Sequence, residues 1–134
     1  MVDAMALIFG CLYLLVGVVG FILAPGRGMI LGIFPVNIFH HVVHITLGGL
    51  GLVAGWMGRG RLYCQVVGVV FLVLGLLGLI VPPLTAALLA HPGADLLTDN
   101  LLHLMTGIAL SYFGFLPRPK SLPGSAQAND RTGF

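Results

Sequence analysis

The chain has 134 residues, of which 58% are hydrophobic and 7% charged, and its formal net charge is +2. So few polar side chains could not cover the surface of a water-soluble fold, and the expected solvent is therefore a lipid bilayer. The length suits a single domain of four spans of about 20 residues with short connections. The six Lys and Arg residues form no basic stripe, which excludes nucleic acid as an expected partner.

Four apolar segments follow one another along the chain, and they predict an all-α, integral membrane four-helix bundle. Pro25, Pro83 and Pro117 follow the first, third and fourth segments, where proline ends a helix. Residues 1–116 form the predicted membrane domain, and the Pro/Ser-rich residues 117–134 have the composition of a disordered tail. The predicted spans cover about 4–23, 37–56, 62–80 and 100–116.

Basic residues near the ends of the spans predict the orientation of the chain. Arg59 and Arg61 lie between the second and third spans, and Arg118 and Lys120 follow the fourth span, whereas Arg27 alone lies between the first two. By the positive-inside tendency, both termini and the tail are expected in the cytoplasm. The expected location is the inner, cytoplasmic membrane of a bacterium.

An internal repeat relates the two halves of the chain. The first and third spans match without a gap, which pairs Gly10, Gly17 and Gly20 with Gly68, Gly75 and Gly78. The second and fourth spans align after a five-residue insertion, which pairs Asn37 with Asn100, His40 with His103, Ile45 with Ile108 and Gly51 with Gly114. Two tandem hairpins in the same orientation predict a pseudo-twofold axis along the membrane normal. The second and fourth helices are then equivalent and are expected to face partners.

The second and fourth spans each carry histidine near one end. Small residues follow on the same face of each span, at helical spacing. Such residues let membrane helices approach each other closely, which is the favoured interpretation. The alternative is that glycine leaves a slot for a flat ligand such as a porphyrin. The glycines assigned to helix packing are Gly17, Gly20, Gly48, Gly51, Gly55, Gly75, Gly78, Gly107 and Gly114.

Histidines gather at the expected outer ends of these two spans, where ionisable groups are candidates for function. His40 and His44 project from the same side of one helix, so a haem or (bacterio)chlorophyll would need one of them opposed by His103 across the axis. A less favoured site of zinc or copper type would use all three with Asp99 or His91. The remaining alternatives are that the histidines cap helices and that Asp99 caps the fourth helix.

Two motifs give the chain a resemblance to a known family. They are LGIFPVNIFHHVVH from Leu31 to His44 with Gly48, and DNLLHL from Asp99 to Leu104 with Gly107. The chain resembles a bacterial family of small four-helix membrane proteins known as domain of unknown function 4383, over nearly all of residues 4–116. The resemblance implies four helices and the shared positions His40, His44, Asp99 and His103, and it implies no activity. The family usually has asparagine in place of His41, which lies around the helix from the other two histidines and is expected in another environment.

Signatures of enzymes are missing from the spans, which contain no paired carboxylate, phosphate-binding glycine loop or nucleophile elbow. The leading hypothesis is therefore a non-catalytic accessory subunit of a larger membrane complex, in contact with lipid and with other membrane subunits or a second copy of itself. Its histidines would cap helices or ligate a pigment or haem. The alternatives are a stand-alone haem- or metal-binding membrane protein and a small transporter or proton path.

Overall fold

The computed structural model describes residues 1–32, 34–88 and 97–117, and these residues form helices and one small sheet. The helices are α1 Val2–Leu23, α2 Ile38–Trp56, α3 Gly60–Ile80, α4 Pro82–Leu88 and α5 Leu97–Phe115, and the antiparallel strands are β1 Gly28–Ile30 and β2 Phe34–Val36. A long helix therefore occurs at the position of each predicted span. The predicted tail beyond Pro117 and His91 lie outside the described residues.

Helices α1, α2 and α3 are long and apolar enough to cross a membrane, with hydropathies of 2.7, 1.4 and 2.4. Many of their large apolar side chains are exposed, such as Leu15 on α1, Leu50 on α2 and Leu76 on α3. Exposed apolar surface on several helices is stable in lipid and not in water. These three helices identify a membrane protein.

The long helices pack as two antiparallel pairs, α1 with α2 and α3 with α5. Gly48 lies against the backbone of Leu14, where a Cβ atom would stand 2.5 Å from the Leu14 amide nitrogen. In the other pair, Gly107 lies against the backbone of Leu72, where the corresponding distance is 2.6 Å. Contacts this close are possible only between small residues.

All nine glycines predicted to pack helices lie against a neighbouring helix of the same chain, at distances that a Cβ atom could not occupy. The glycine-lined faces of the second and fourth helices are therefore turned toward helices of the same chain. These faces are covered by α1 and α3, because glycine permits the backbones of a hairpin to approach each other. The covered faces of α2 and α5 leave no slot for a flat ligand such as a porphyrin.

The two helix pairs make corresponding contacts. These contacts match α2 with α5 in a different register from the sequence alignment of the second and fourth spans. The nearest backbone nitrogen to Gly17 is that of Ile45, and the nearest to Gly75 is that of Leu104, whereas the alignment pairs Ile45 with Ile108. The contacts thus match His44 with His103, Gly48 with Gly107 and Gly55 with Gly114. The two registers differ by one helical turn. A shift of this size keeps each residue on the same face of the helix, so periodicity alone does not distinguish the two registers.

The two helix pairs meet mainly along α1 and α3, around aromatic side chains. The rings of Tyr13 and Phe71 touch edge-on with centroids 5.6 Å apart. The Tyr63 hydroxyl group donates a hydrogen bond to the Leu47 carbonyl group at 3.1 Å and so links α3 to α2. The buried apolar cluster around them comprises Ala6, Tyr13, Tyr63, Cys64, Val67, Phe71 and Leu110.

Polar contacts close the end of the fold that holds the N-terminus. The Gly60 amide, at the start of α3, donates to Asp3 Oδ1 at 2.8 Å. Arg61 Nη1 donates to the carbonyl oxygens of Gly114 and Leu116 at the end of α5. Each contact satisfies backbone groups that a helix terminus leaves unpaired, and each joins two different helices.

We expect Asp3→Ala to lower the free energy of unfolding by about 1 kcal/mol, the usual cost of losing an N-terminal cap. Asp3→Asn keeps an acceptor oxygen and should cost less. Equilibrium unfolding in mixed micelles measures both variants. Equal losses for the two variants would show that the charge of Asp3, rather than its hydrogen bond to Gly60, stabilises this end.

Candidate functional site

The N-terminal end of α2 is fixed by a cap and by the sheet that precedes it. The Asn37 side chain accepts a hydrogen bond from the His40 amide at 2.8 Å, as an N-cap asparagine does. Strand β2 ends immediately before this cap, and β1 pairs with it through a turn in which Leu31 and Gly32 have φ values of 55° and 72°. Glycine adopts this left-handed conformation readily, and leucine does so rarely. The sheet thereby lies beside the histidines of α2.

Four of the predicted site residues come together near this end of the fold. The His40 and His44 rings lie 4.4 Å apart between centroids, with an angle of 43° between their planes. On α5, Asp99 Oδ2 lies 3.5 Å from His103 Nδ1. His44, His103 and Asp99 are buried, with exposed fractions of 8%, 6% and 4%. We call these four residues the polar cluster.

Aromatic side chains hold the two buried histidines in corresponding positions. The Tyr13 ring of α1 meets His44 edge-on at 5.6 Å, and the Phe71 ring of α3 meets His103 edge-on at 4.9 Å. Tyr13 and Phe71 in turn touch each other. His44 and His103 therefore lie at the junction of the two helix pairs, each packed on the first helix of its own pair.

Two neighbouring cavities border the polar cluster, and His40 and His44 line both of them. The smaller has a volume of about 40 Å³ and lies at the junction, lined by Phe39, His40, Val43, His44, Phe71, Leu74 and His103. The larger has a volume of about 220 Å³ and lies beneath the sheet, lined by Val16, Ile30, Leu31, Phe34, Val36, His40, His44, Asp99 and Leu102.

The cavities do not fit the haem, pigment or metal considered from the sequence. A cavity of about 40 Å³ between His44 and His103 admits a few water molecules but no macrocycle. The larger cavity is also smaller than the roughly 300–1,000 Å³ typical of sites for drug-sized ligands. Among the residues described, no three His, Cys, Asp or Glu side chains form a group that could hold a metal ion. His40, His44, His103 and Asp99 are thus neighbours without metal-site geometry.

His41 has a different role, which its sequence position did not reveal. Its side chain is 1% exposed, and its Nε2 atom lies 2.9 Å from the carbonyl oxygen of Ala24, just past the end of α1. The ring packs against Gly20, where a Cβ atom would come within 2.7 Å of it. In the other helix pair, Asn100 occupies the matching place against Gly78. His41 therefore satisfies a helix C-terminus and closes the first hairpin.

We expect Gly20→Ala to lower the free energy of unfolding by about 2 kcal/mol, because the added methyl group overlaps the His41 ring. In a His41→Ala background, where the ring is absent, the same change should cost less than half as much. Unfolding of the single and double variants measures this coupling. Additive effects of the two substitutions would contradict the contact.

Comparison with known protein families gives a match over most of the chain. The family described as Domain of unknown function (DUF4383) matches residues 4–116. No curated protein and no solved structure matches the chain. The matched range begins within the first turn of α1, ends just past α5 and contains all four residues of the polar cluster. The chain therefore belongs to the DUF4383 family.

Proposed function

We propose that this chain is a non-catalytic accessory subunit of a larger complex in a bacterial inner membrane. It crosses the bilayer four times as two tandem hairpins in the same orientation, with both termini in the cytoplasm. The polar cluster then lies toward the outer face. The distribution of polar groups in the interior is the observation that carries this proposal.

Burial of polar residues supports α5 as the fourth span, although its composition is less apolar than that of α1, α2 and α3. The residues that lower its hydropathy, Asp99, Asn100 and His103, are all buried. Its exposed large side chains in the same region are apolar, namely Leu101, Leu102, Met105 and Ile108. A helix with its polar groups turned inward presents an apolar surface to lipid.

The corresponding contacts of the two helix pairs support the internal repeat. Gly48 and Gly107 each lie on the backbone of a first helix, and His44 and His103 each lie on an aromatic ring of that helix. Such a correspondence follows if one hairpin was duplicated in tandem. It requires α1 and α3 to point the same way across the membrane.

The interior supports a binding or assembly role more than transport or catalysis. Ionisable side chains gather in the polar cluster, whereas the buried cluster toward the N-terminal end is formed by apolar and aromatic residues such as Ala6, Val67 and Leu110. A proton or ion path needs titratable or polar groups along its whole length. Within the described part of the chain, this cluster contains the hydroxyl groups of Tyr13 and Tyr63 and the Cys64 thiol but no carboxylate or imidazole, so the groups that exchange protons most readily do not continue through it.

Purification at native expression level from bacterial membranes in a mild detergent tests the association. The expected result is that a tagged chain migrates in a complex much larger than a monomer or dimer and carries at least one larger membrane protein at a fixed ratio. The ratio should persist when the tag is moved to the other terminus. A chain that migrates alone or as a homodimer would contradict the proposal.

A further inference from the structure

A third cavity lies at the end of the fold that holds the N-terminus, and we call it the terminal cavity. The residues that line it include Val2, Asp3, Arg61, Leu116 and Pro117. Its volume of about 480 Å³ falls within the roughly 300–1,000 Å³ typical of small-molecule sites. Unlike the cavity beneath the sheet, the terminal cavity exposes polar as well as apolar surface, so a ligand can meet both kinds of group there.

Asp3 and Arg61 bring opposite charges to the terminal cavity without pairing with each other. Both residues lie in the described part of the chain, and no ion pair joins them there. Asp3 Oδ1 instead accepts a hydrogen bond from the Gly60 amide, and Arg61 Nη1 donates to the carbonyl oxygens of Gly114 and Leu116. The end of a neighbouring helix thereby holds each charge in place. The two charges are preorganised for a ligand that lies between them.

Each of the two side chains keeps hydrogen-bonding capacity that the fold does not use. A guanidinium group can donate from each of its nitrogens, and in Arg61 the Nε and Nη2 atoms make no hydrogen bond within the described residues. The second carboxylate oxygen of Asp3, Oδ2, likewise has no hydrogen-bond partner in the described part of the chain. The terminal cavity therefore offers donors from a cation and an acceptor from an anion.

The positions of the helix ends place the terminal cavity at the level of lipid head groups. Helices α1 and α3 begin beside it at Val2 and Gly60, and α5 ends beside it at Phe115. The ends of membrane-spanning helices lie at the lipid–water interface, where tryptophan is enriched, and α2 ends at the exposed Trp56. Phe115 is 60% exposed and continues the apolar surface away from the cavity. A head group can therefore enter while its acyl chains stay in the bilayer.

Charge restricts the class of the head group. A phosphate group matches the guanidinium group of Arg61, which can donate two parallel hydrogen bonds to it. The carboxylate of Asp3 disfavours a head group that is anionic throughout, because like charges repel each other. A primary ammonium group donates hydrogen bonds to a carboxylate, whereas the trimethylated nitrogen of choline has no N–H group to donate. The two charges together fit a phosphate joined to a primary ammonium group.

We propose that the terminal cavity binds one zwitterionic phospholipid of the phosphatidylethanolamine class. Arg61 donates to the phosphate through Nε and Nη2, and Asp3 Oδ2 accepts a hydrogen bond from the ammonium group. The acyl chains run along the exposed apolar surface of the helices. Binding does not depend on the proposed association with a larger complex, because every lining residue belongs to this chain. The purified chain is therefore sufficient for the test.

Native mass spectrometry of the purified chain in micelles measures the binding. Dioctanoyl phosphatidylethanolamine, phosphatidylcholine and phosphatidylglycerol, which differ only in the head group, are titrated at the same mole fractions. One phosphatidylethanolamine should bind per chain, with an affinity about tenfold higher than that of phosphatidylcholine, because choline lacks the N–H donors. An affinity for either of the other two lipids equal to or above that for phosphatidylethanolamine would overturn the proposal. Equal binding of glycerophosphoethanolamine, which has no acyl chains, would overturn the assignment to a lipid.

Three variants locate the lipid in the terminal cavity. Asp3→Asn keeps an acceptor oxygen and removes the charge, so it should abolish the preference for phosphatidylethanolamine over phosphatidylcholine. Arg61→Gln should weaken binding of phosphatidylethanolamine about tenfold, while Gln65 still joins α3 to the end of α5 through its own hydrogen bond. Arg59→Gln is the matched control, because Arg59 is exposed and lies outside the cavity lining. A preference that survives Asp3→Asn, or equal losses for Arg61→Gln and Arg59→Gln, would overturn the proposal.

Discussion

Replacement of Gly48 by alanine is expected to lower the free energy of unfolding by about 2–3 kcal/mol. The added Cβ atom would stand 2.5 Å from the Leu14 amide nitrogen and 2.8 Å from its Cα atom. Backbone atoms cannot move aside as a flexible side chain can, so α1 and α2 must separate. Separation removes the dispersion contacts that hold membrane helices together in the absence of a hydrophobic driving force between them. Unfolding by a denaturing detergent in mixed micelles measures the loss.

The adjacent residue provides a matched control. Apart from its chain neighbours and the adjacent backbone of α2, a Cβ atom at Gly49 has no described atom within 4 Å, so Gly49→Ala should be neutral or slightly stabilising. The two variants have the same composition and differ only in the side of α2 that carries the methyl group. Equal losses of stability would contradict the close approach of α1 and α2.

Replacement of Phe71 by alanine is expected to cost about 3 kcal/mol and to loosen the junction between the helix pairs. The Phe71 ring is 4% exposed and touches Tyr13 of α1 and His103 of α5. Its removal would enlarge the cavity at the polar cluster and leave both aromatic contacts unmade. Within the α3–α5 pair the ring contacts only His103 among the aromatic side chains described, and the close glycine contacts of both pairs remain, so the helical circular dichroism should persist while the unfolding midpoint falls.

Val73→Ala is the control for this variant, because Val73 lies on the same helix with 48% of its side chain exposed. Truncation of Val73 to alanine should change the free energy of unfolding by less than about 0.5 kcal/mol. If Val73→Ala lowered the free energy of unfolding as much as Phe71→Ala, the aromatic contacts at the junction would make no specific contribution to stability.

The sequence predicted the long helices well because their signals are local. Apolar segments ended by Pro25 and Pro83, and an N-cap at Asn37, placed the helices close to their observed bounds. The strands β1 and β2 were not predicted, because each has only three residues, too few for a periodicity to be detected, and β2 also contains Pro35. Helix α4 was likewise too short to stand out from a connector.

The candidate site was predicted in part. Helical spacing placed His40 and His44 on one face, and they do lie side by side with His103 and Asp99 nearby. The sequence did not predict the contact of His41 with Ala24, because that contact depends on how closely α1 approaches α2. It also did not predict the volumes of the cavities, which are set by packing rather than by residue type.

Side-specific cysteine labelling tests the four-span arrangement with both termini on the cytoplasmic side most directly. A membrane-impermeant maleimide is applied to intact cells and then to permeabilised cells that carry Leu31→Cys, Met57→Cys, Thr98→Cys or Pro117→Cys, all at exposed positions. The unsubstituted chain measures the background from Cys11 and Cys64, which lie within helices. Thiols held in lipid react poorly, because the reactive thiolate requires a polar environment.

Cysteines at positions 31 and 98 should be labelled in intact cells, and those at positions 57 and 117 only after permeabilisation. Thr98 and Pro117 lie at opposite ends of α5, so labelling on opposite sides means that this helix crosses the bilayer. Labelling of both from the same side would contradict the fourth span, and labelling of positions 31 and 98 only after permeabilisation would contradict the proposed orientation.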